Sequence, residues 1–185
     1  MLGDNVIIED FCIIGIPVIG GASSKTEIGD NSIIRAGTYI YAGNKIGHNF
    51  TSGNKVNIRE NNNIGNNVSI GTLSVIEHNI NIGDSARIHS QVFIPEYSIL
   101  ESNCWIGHNV VLTNSKYPNH PSSKENLQGV RIMQDAKIGA NSTILPGVVV
   151  GKSSLIGAGT LVTKNVPNGV VVAGNPFTIL RKTSH

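Results

Sequence analysis

The chain has 185 residues, a formal net charge of +2 and 21 glycines, whereas aromatic residues make up only 5% of it. This length predicts a single domain, residues 1–185, with a core of small and branched side chains. The small net charge and the absence of a basic run argue against a nucleic-acid-binding protein. No apolar stretch is long enough to span a membrane and no signal peptide is recognisable, so we expect a cytoplasmic protein that does not bind membranes.

A branched aliphatic residue recurs at every sixth position of the chain. With one lapse, the period runs through Ile28, Ile34, Ile40, Ile46, Ser52, Ile58, Ile64, Ile70, Ile76, Ile82, Ile88, Ile94, Leu100, Ile106 and Leu112. It resumes at Ile132, Ile138, Ile144, Val150, Ile156 and Val162. This period matches neither an α-helix nor the alternation of a hairpin. It predicts an all-β fold, a hexapeptide-repeat parallel β-helix in which each repeat supplies one short strand and one corner.

Three hexapeptides complete one turn of a triangular prism, so aliphatic residues 18 positions apart should stack on one face. Glycine or asparagine often follows the aliphatic residue, which suits a corner with unusual backbone angles. The fifth position of each hexapeptide should point inward. There, Cys12 and Cys104 predict two separate buried thiols rather than a disulfide or metal pair, and Asn44 and Asn62 predict a stacked amide ladder.

Two segments interrupt the period of six, namely residues 15–27 and residues 113–131. Long loops on an otherwise rigid scaffold usually serve function or assembly, and we expect this most strongly of the second loop. The last repeat is followed by a tail, residues 167–185, in which we expect one short helix over residues 177–182.

The whole chain resembles the hexapeptide-repeat acyltransferases. The most specific stretch is Ile156-Gly-Ala-Gly-Thr-Leu-Val-Thr-Lys-Asn-Val-Pro167, followed by Val172-Ala-Gly-Asn-Pro176. The resemblance implies a left-handed β-helix and a homotrimer that binds acetyl-CoA between subunits, with no metal required. By position it implies cofactor contacts from the backbone at Ala140, Ser142, Gly157 and Ala158, and from the cations Lys164 and Arg181.

Within that family the chain is most similar to enzymes that acetylate amino groups of nucleotide-linked sugars for surface-polysaccharide synthesis. One similarity lies in Arg87-Ile-His-Ser-Gln-Val92, followed two repeats later by Val111-Leu-Thr-Asn114 and a loop. A second lies in Ser74-Val-Ile-Glu-His-Asn79, where a related group of N-acetyltransferases has its basic histidine. Some of those enzymes carry a carboxylate at the position of Asn79, so this chain departs from their pattern.

Acetyl transfer to an amine requires a base and a donor that stabilises the oxyanion, and histidine is the natural base near neutral pH. Counting coils back from the coenzyme A-like end favours His89, whereas the local motif favours His78. Asn114 is expected to contact the substrate or the oxyanion. Gln91 and Glu96 fall in the same tier and are expected to bind the acceptor. The remaining histidines are expected to have no catalytic role, and they are His48, His108, His120 and the terminal His185.

Three other functions remain open on the sequence alone. An O-acetyltransferase acting on a sugar or another hydroxyl acceptor is the nearest alternative. A γ-type carbonic anhydrase needs three zinc-binding histidines, two of them five residues apart, and this chain has no such pair. A non-enzymatic scaffold would leave the two loops and the coenzyme A-like end without a role.

Overall fold

A computed structural model describes residues 1–19 and 25–183 of the chain. Those residues form a parallel β-solenoid of about eight turns, of the left-handed β-helix family. Almost every strand is two residues long and pairs in parallel with the strands one coil before and one coil after it. The predicted all-β hexapeptide-repeat fold is therefore confirmed.

The prism has three faces, each formed by one sheet. Face A contains Glu27–Ile28, Lys45–Ile46, Asn63–Ile64, Asn81–Ile82, Ile99–Leu100, Arg131–Ile132 and Val149–Val150. Face B contains Ile7–Ile8, Ile33–Ile34, Thr51–Ser52, Ser69–Ile70, Arg87–Ile88, Trp105–Ile106, Lys137–Ile138, Leu155–Ile156, Val170–Gly174 and Phe177–Lys182. Face C contains Ile13–Ile16, Tyr39–Tyr41, Asn57–Ile58, Val75–Ile76, Phe93–Ile94, Val111–Leu112, Thr143–Ile144 and Leu161–Val162.

The core consists of the aliphatic residue of each repeat and the fifth residue of each repeat. Ile34, Ile40 and Ile58 are completely buried, and so are Val56 and Val68 at fifth positions. Burying one such side chain stabilises the fold by about 1.5–3 kcal/mol, and the prism repeats this gain at every coil. The residue before each aliphatic position points outward, as alternation within a strand requires.

The corner geometry differs from the sequence-based interpretation. The left-handed backbone angle falls on the fourth residue of a repeat, as in Asn31 and Asn49, which both have φ of 57°. The glycine directly after the aliphatic residue is required for another reason. A Cβ atom on Gly29 would lie 2.6 Å from the carbonyl carbon of Gly47 in the next coil. These glycines therefore permit close approach of consecutive coils, not an unusual angle.

We expect Gly29→Ala to destabilise the fold by about 1–3 kcal/mol, because the added methyl group must push two backbones apart. The matched control is Gly159→Ala. Gly159 has φ of +68° and nothing within 4 Å of its missing Cβ, so this change carries only a conformational cost of about 1 kcal/mol. Urea unfolding of both variants measures the two costs. A larger loss for Gly159→Ala would contradict the close-approach explanation.

The inward polar positions are occupied as predicted, with one refinement. Asn44 and Asn62 are completely buried, and the Asn62 backbone N–H donates to Asn44 Oδ1 at 3.0 Å. The amide ladder therefore runs through backbone N–H groups rather than from side chain to side chain. Cys12 and Cys104 are both free, but only Cys104 is buried, so the prediction of a buried thiol is wrong for the half-buried Cys12. Burial raises the pKa of the Cys104 thiol to about 12, which keeps this thiol protonated and unreactive.

The predicted C-terminal helix over residues 177–182 is wrong. Phe177–Lys182 is a strand, and it pairs antiparallel with Val170–Gly174 at the end of face B. Val170–Gly174 itself pairs with the face B strand at Leu155–Ile156. Its outer edge would otherwise leave backbone donors and acceptors unpaired, and the returning strand satisfies them. Phe177 packs into the core as part of this hairpin.

The second interruption leaves the prism where predicted, after Val111–Leu112, and returns at Arg131–Ile132. It contains a single 3₁₀ turn, Lys124–Asn126. The first interruption, predicted over residues 15–27, lies partly outside the described residues, as does His185. The single-domain assignment stays a prediction. Among the residues that the structure describes, no helix is both long and apolar enough to cross a membrane.

Candidate active site

The predicted site residues divide between the two corners that border face C. Corner BC, where the chain turns from face B to face C, carries His89, Gln91, Ala140, Ser142, Gly157 and Ala158. Corner CA, where it turns from face C to face A, carries His78, Glu96, Asn114 and Lys164. Arg181 lies on the last strand, opposite Val171. Within one subunit the two groups of residues therefore lie on different edges of the prism.

On corner CA, three predicted residues stack in consecutive coils because each follows a face C strand by the same number of residues. Asn114 Nδ2 donates to Glu96 Oε2 at 2.6 Å. Glu96 Oε1 in turn lies 4.0 Å from His78 Nε2. All three residues are half-buried. A histidine whose ring faces a carboxylate held by a second donor is an arrangement suited to proton transfer.

At position 79, where the sequence comparison led us to expect a carboxylate, the chain has Asn79. Glu96, in the next coil, supplies the carboxylate beside His78 instead. Asn79 Nδ2 lies 3.3 Å from His78 Nδ1, where an amide N–H matches a ring nitrogen that accepts. This network assigns the proton of the neutral ring to Nε2, toward Glu96. Nδ1 is then the nitrogen that accepts a proton from a substrate, once the substrate displaces the Asn79 amide.

Carboxylates surround His78, and the sequence analysis did not identify most of them. Arg59 binds Glu60 at 2.9 Å and lies 3.8 Å from Glu77. Burial raises the pKa of Glu77, and Glu96 and Glu60 add to this effect, while Arg59 opposes it. For Glu60, burial is the largest single effect and raises the pKa, but the hydrogen bonds and the charge of Arg59, together with a backbone hydrogen bond, outweigh it and lower the pKa. The sequence signal that could have identified this cluster is the spacing of 18 residues from Glu60 to His78 and again from His78 to Glu96.

The surroundings of His89 are different. Its ring lies 4.6 Å from the Trp105 ring and 4.4 Å from the His108 ring, measured between centroids. Arg87 Nε donates to His89 Nε2 at 3.3 Å, which occupies one lone pair of the neutral ring. Burial lowers the pKa of His89, and the charges of His108 and Arg87 lower it further. His89 is therefore a weaker base than an ordinary histidine.

Corner BC offers backbone donors to a ligand. At the remote corner, between faces A and B, the Asp30 N–H donates to His48 Nδ1 and the His48 N–H donates to Asn66 Oδ1. Side chains of the following coil thus satisfy these groups. On corner BC, the residues at the equivalent position after each face B strand have side chains that are small or point away from the preceding coil. Within residues 25–183, no protein acceptor binds the equivalent N–H groups of Ser90, His108, Ala140 and Ala158.

The remaining predicted cofactor residues are spread out in one subunit. Lys164 is exposed on corner CA, with its Nζ 5.7 Å from the centre of the Phe177 ring. Arg181 lines a pocket with Lys137 beside face B. Ser142 is completely buried, and its hydroxyl donates to the Gly157 carbonyl at 3.0 Å. Gln91 is exposed at a corner, with φ of 60°. Their predicted roles stay predictions.

The loop at 113–131 encloses a cavity of about 390 Å³ next to corner CA. Its lining carries hydroxyl, amide and cationic groups, from Ser115, Lys116, Tyr117, His120, Ser122, Ser123, Asn126 and Gln128. His120 Nδ1 lies 2.9 Å from the Ser122 hydroxyl within the loop itself. No group of three or more His, Cys, Asp or Glu residues that could hold a metal occurs in the described part of the chain.

Two family models match the chain. The bacterial transferase hexapeptide (six repeats) matches residues 129–164, and the hexapeptide repeat of succinyl-transferase matches residues 5–42. Both matches fall on coils of the prism. They confirm the resemblance to hexapeptide-repeat transferases that the sequence motifs indicated.

Three relatives are similar to parts of the chain. YvoF of Bacillus subtilis (strain 168), which carries a provisional acetyltransferase name, is 39% identical over 89 residues, or 48% of this chain and 50% of YvoF. The galactoside O-acetyltransferase of Lactococcus lactis is 39% identical over 80 residues, or 41% of this chain and 39% of that protein. A tetrahydropyridine-dicarboxylate N-acetyltransferase of Staphylococcus aureus is 49% identical over 55 residues, or 30% and 23%. The matches thus span half or less of each relative.

A solved structure reproduces the fold over nearly the whole chain. The polySia-specific acetyltransferase NeuO superposes with a TM-score of 0.62 and 23% identity, covering 98% of this chain and 86% of NeuO. At this level of identity the similarity concerns the architecture. It shows that the two proteins share a fold over nearly the whole of this chain.

Proposed function

We infer that the chain is a hexapeptide-repeat acyltransferase, and we propose that it transfers the acetyl group of acetyl-CoA to the amino group of a nucleotide-linked sugar. The observation that carries the proposal is the stack of His78, Glu96 and Asn114 beside the loop at 113–131. It supplies a base, a carboxylate that orients it, and a neighbouring cavity for an acceptor. Surface-polysaccharide synthesis is the process in which such a product would be used.

The proposed reaction needs one base. The acceptor amine, once neutral, attacks the thioester carbonyl carbon, so that a C–N bond forms and the C–S bond breaks. His78 Nδ1 takes the proton that the nitrogen loses as the amide forms and passes it to the departing thiolate of coenzyme A, which leaves as the thiol. A backbone N–H can donate to the oxyanion.

Charge favours an amine over a hydroxyl acceptor. Three carboxylates lie in the His78 region, and Arg59 is shared between two of them, Glu60 and Glu77. The carboxylates therefore outnumber this cation. Carboxylates attract a protonated amino group but have no such attraction for a neutral hydroxyl group. An amine acceptor arrives at neutral pH as an ammonium ion, which the carboxylates stabilise until the proton is removed.

The residues proposed to bind acetyl-CoA on corner BC and those proposed to act on the acceptor on corner CA come together only if subunits associate. Corner BC, with its free N–H groups, and corner CA, with His78, border face C on opposite sides. Face C exposes an apolar row that includes Tyr39, Phe93 and Val111. Packing three faces C around one axis buries this row and places corner BC of one subunit beside corner CA of the next. We therefore propose a homotrimer with acetyl-CoA bound between subunits.

For such a trimer we propose the same cofactor contacts that were expected from the sequence. Ala140 and Ala158 offer N–H groups along corner BC, in line with Gly157. Lys164 and Arg181 are exposed cations at the C-terminal end of the prism, which suits the phosphates of the nucleotide part. Because acetyl-CoA is a cytoplasmic metabolite in bacteria, we retain the cytoplasm as the expected location.

O-acetylation is the second candidate, and the observation in its favour is the similarity to a galactoside O-acetyltransferase. The two candidates differ in the acceptor alone. We expect thiol release from acetyl-CoA with nucleotide-linked amino sugars at least about 100-fold faster than with the same nucleotide sugars carrying a hydroxyl in place of the amine. Mass spectrometry of the product locates the acetyl group. Turnover of plain galactosides but no amino sugar would establish the O-acetyltransferase instead.

A further inference from the structure

We propose that Asn114 is a positioning residue that links the loop at 113–131 to His78 through Glu96. The catalytic consequence rests on the proposed function, whereas the contacts exist in the structure independently of it. Asn114 was expected from the sequence to contact the substrate. The structure instead gives its side chain a protein partner on the side of the base.

The two oxygens of Glu96 have different partners. Oε2 accepts the Asn114 amide at 2.6 Å, and Oε1 lies 4.0 Å from His78 Nε2. The backbone at this corner is held by a separate bond, from the Ser98 hydroxyl to the Pro95 carbonyl at 2.8 Å. Rotation of the Glu96 side chain is therefore the freedom that the Asn114 amide restricts. Without that amide, the carboxylate can turn away from His78 into solvent.

Asn114 also closes the loop. The Gln128 N–H donates to the Asn114 carbonyl at 2.8 Å, and the Gly147 N–H donates to the Gln128 carbonyl at 3.0 Å. The loop entrance and the loop exit thus meet at Asn114. Ser115, next in the chain, and Gln128 both line the loop cavity. A molecule bound in this cavity therefore contacts two neighbours of Asn114, which are Ser115, the next residue in the chain, and Gln128, its hydrogen-bond partner.

This arrangement predicts that acceptor binding and base orientation are coupled. An acceptor that orders the loop fixes Asn114, and Asn114 fixes Glu96 against His78. With the loop displaced, Glu96 is released and the His78 ring loses its partner at Nε2. The loop would then select the acceptor through the rate of proton transfer as well as through affinity.

Nitrogen-15 NMR of the histidine rings tests the link without any substrate. We compare the wild type with Glu96→Gln, Asn114→Ala and Asn114→Asp, the last of which keeps the shape of the side chain but removes its donor. In the wild type we expect the neutral His78 ring mainly as the Nε2–H tautomer. We expect all three changes to lower the ratio of Nε2–H to Nδ1–H by at least about threefold.

The matched control is Asn66→Ala. Asn66 Oδ1 accepts the His48 N–H at 2.9 Å at the remote corner between faces A and B, so this change removes a hydrogen bond of an amide side chain away from corner CA. It should leave the His78 tautomer ratio unchanged. If Glu96→Gln alters the ratio but neither Asn114 variant does, Glu96 orients His78 without help and the proposal is overturned.

Kinetics separate positioning from substrate contact. With a turned-over acceptor, positioning predicts that Asn114→Ala lowers kcat about tenfold or more while KM for the acceptor stays within about threefold. A raised KM with unchanged kcat would assign Asn114 to substrate binding and overturn the proposal. Because the tautomer ratio needs no acceptor, a failure of the proposed acetyltransferase function would leave that result intact.

Discussion

His78→Ala is expected to lower kcat/KM for acetyl transfer by about 10²–10⁴-fold, whereas His89→Ala is expected to stay within about fivefold of the wild type. The reason is the difference in surroundings. Glu96 faces His78, with its Oε1 4.0 Å from His78 Nε2. Arg87 donates to His89, and both burial and the charge of His108 lower the pKa of His89. A group that resists protonation cannot readily take a proton from the acceptor.

Thiol release from acetyl-CoA, followed with a nucleotide-linked amino sugar, measures both variants. His48→Ala is the matched control, because His48 lies at the remote corner between faces A and B. Circular dichroism verifies that each variant is folded. If His89→Ala is inactive and His78→Ala retains most of its activity, the base lies on corner BC, as coil counting from the sequence suggested. The roles proposed for Glu96 and Asn114 would then fail as well.

The period of six was sufficient to predict the architecture, because each repeat buries its own aliphatic residue and packs only against the neighbouring coils. Adding 18 along the sequence correctly assigns every lead residue from Ile28 to Leu112 to its face. The C-terminal strand, Phe177–Lys182, lacks this period. It forms because the strand before it leaves an unpaired edge, and that requirement appears only once the sheet exists.

The candidate site was predictable in part. The sequence supplied His78, Glu96 and Asn114, and their spacing of 18 residues implied one corner. It could not show that Glu96 lies between the other two, since this depends on which way each side chain turns. Coil counting placed His89 in the expected tier, but the effect of Trp105 and Arg87 on that ring cannot be read from their positions in the chain. Electrostatic surroundings, rather than position, distinguish the two histidines.

Among changes distant from His78 and His89, Val111→Arg is expected to cause the largest loss of acetyl transfer. Val111 is 38% exposed on face C and belongs to the apolar row that the proposed trimer buries. A buried, unpaired guanidinium group at each of three interfaces costs several kcal/mol, which is enough to dissociate the assembly. Since corner BC and corner CA meet only across that interface, we expect acetyl transfer to fall by at least about 100-fold as the trimer is lost.

Ile99→Arg is the matched control, because Ile99 is 37% exposed in the outward row of face A. Its neighbours in that row, Asn81 and Arg131, are polar, so a further charge there should remain in water. Sedimentation equilibrium measures the mass of both variants, and thiol release measures their activity. A trimeric, fully active Val111→Arg variant together with a dissociated Ile99→Arg variant would move the interface to face A. The cofactor groove would then have to lie at the corners bordering that face, away from the free N–H groups of Ala140 and Ala158.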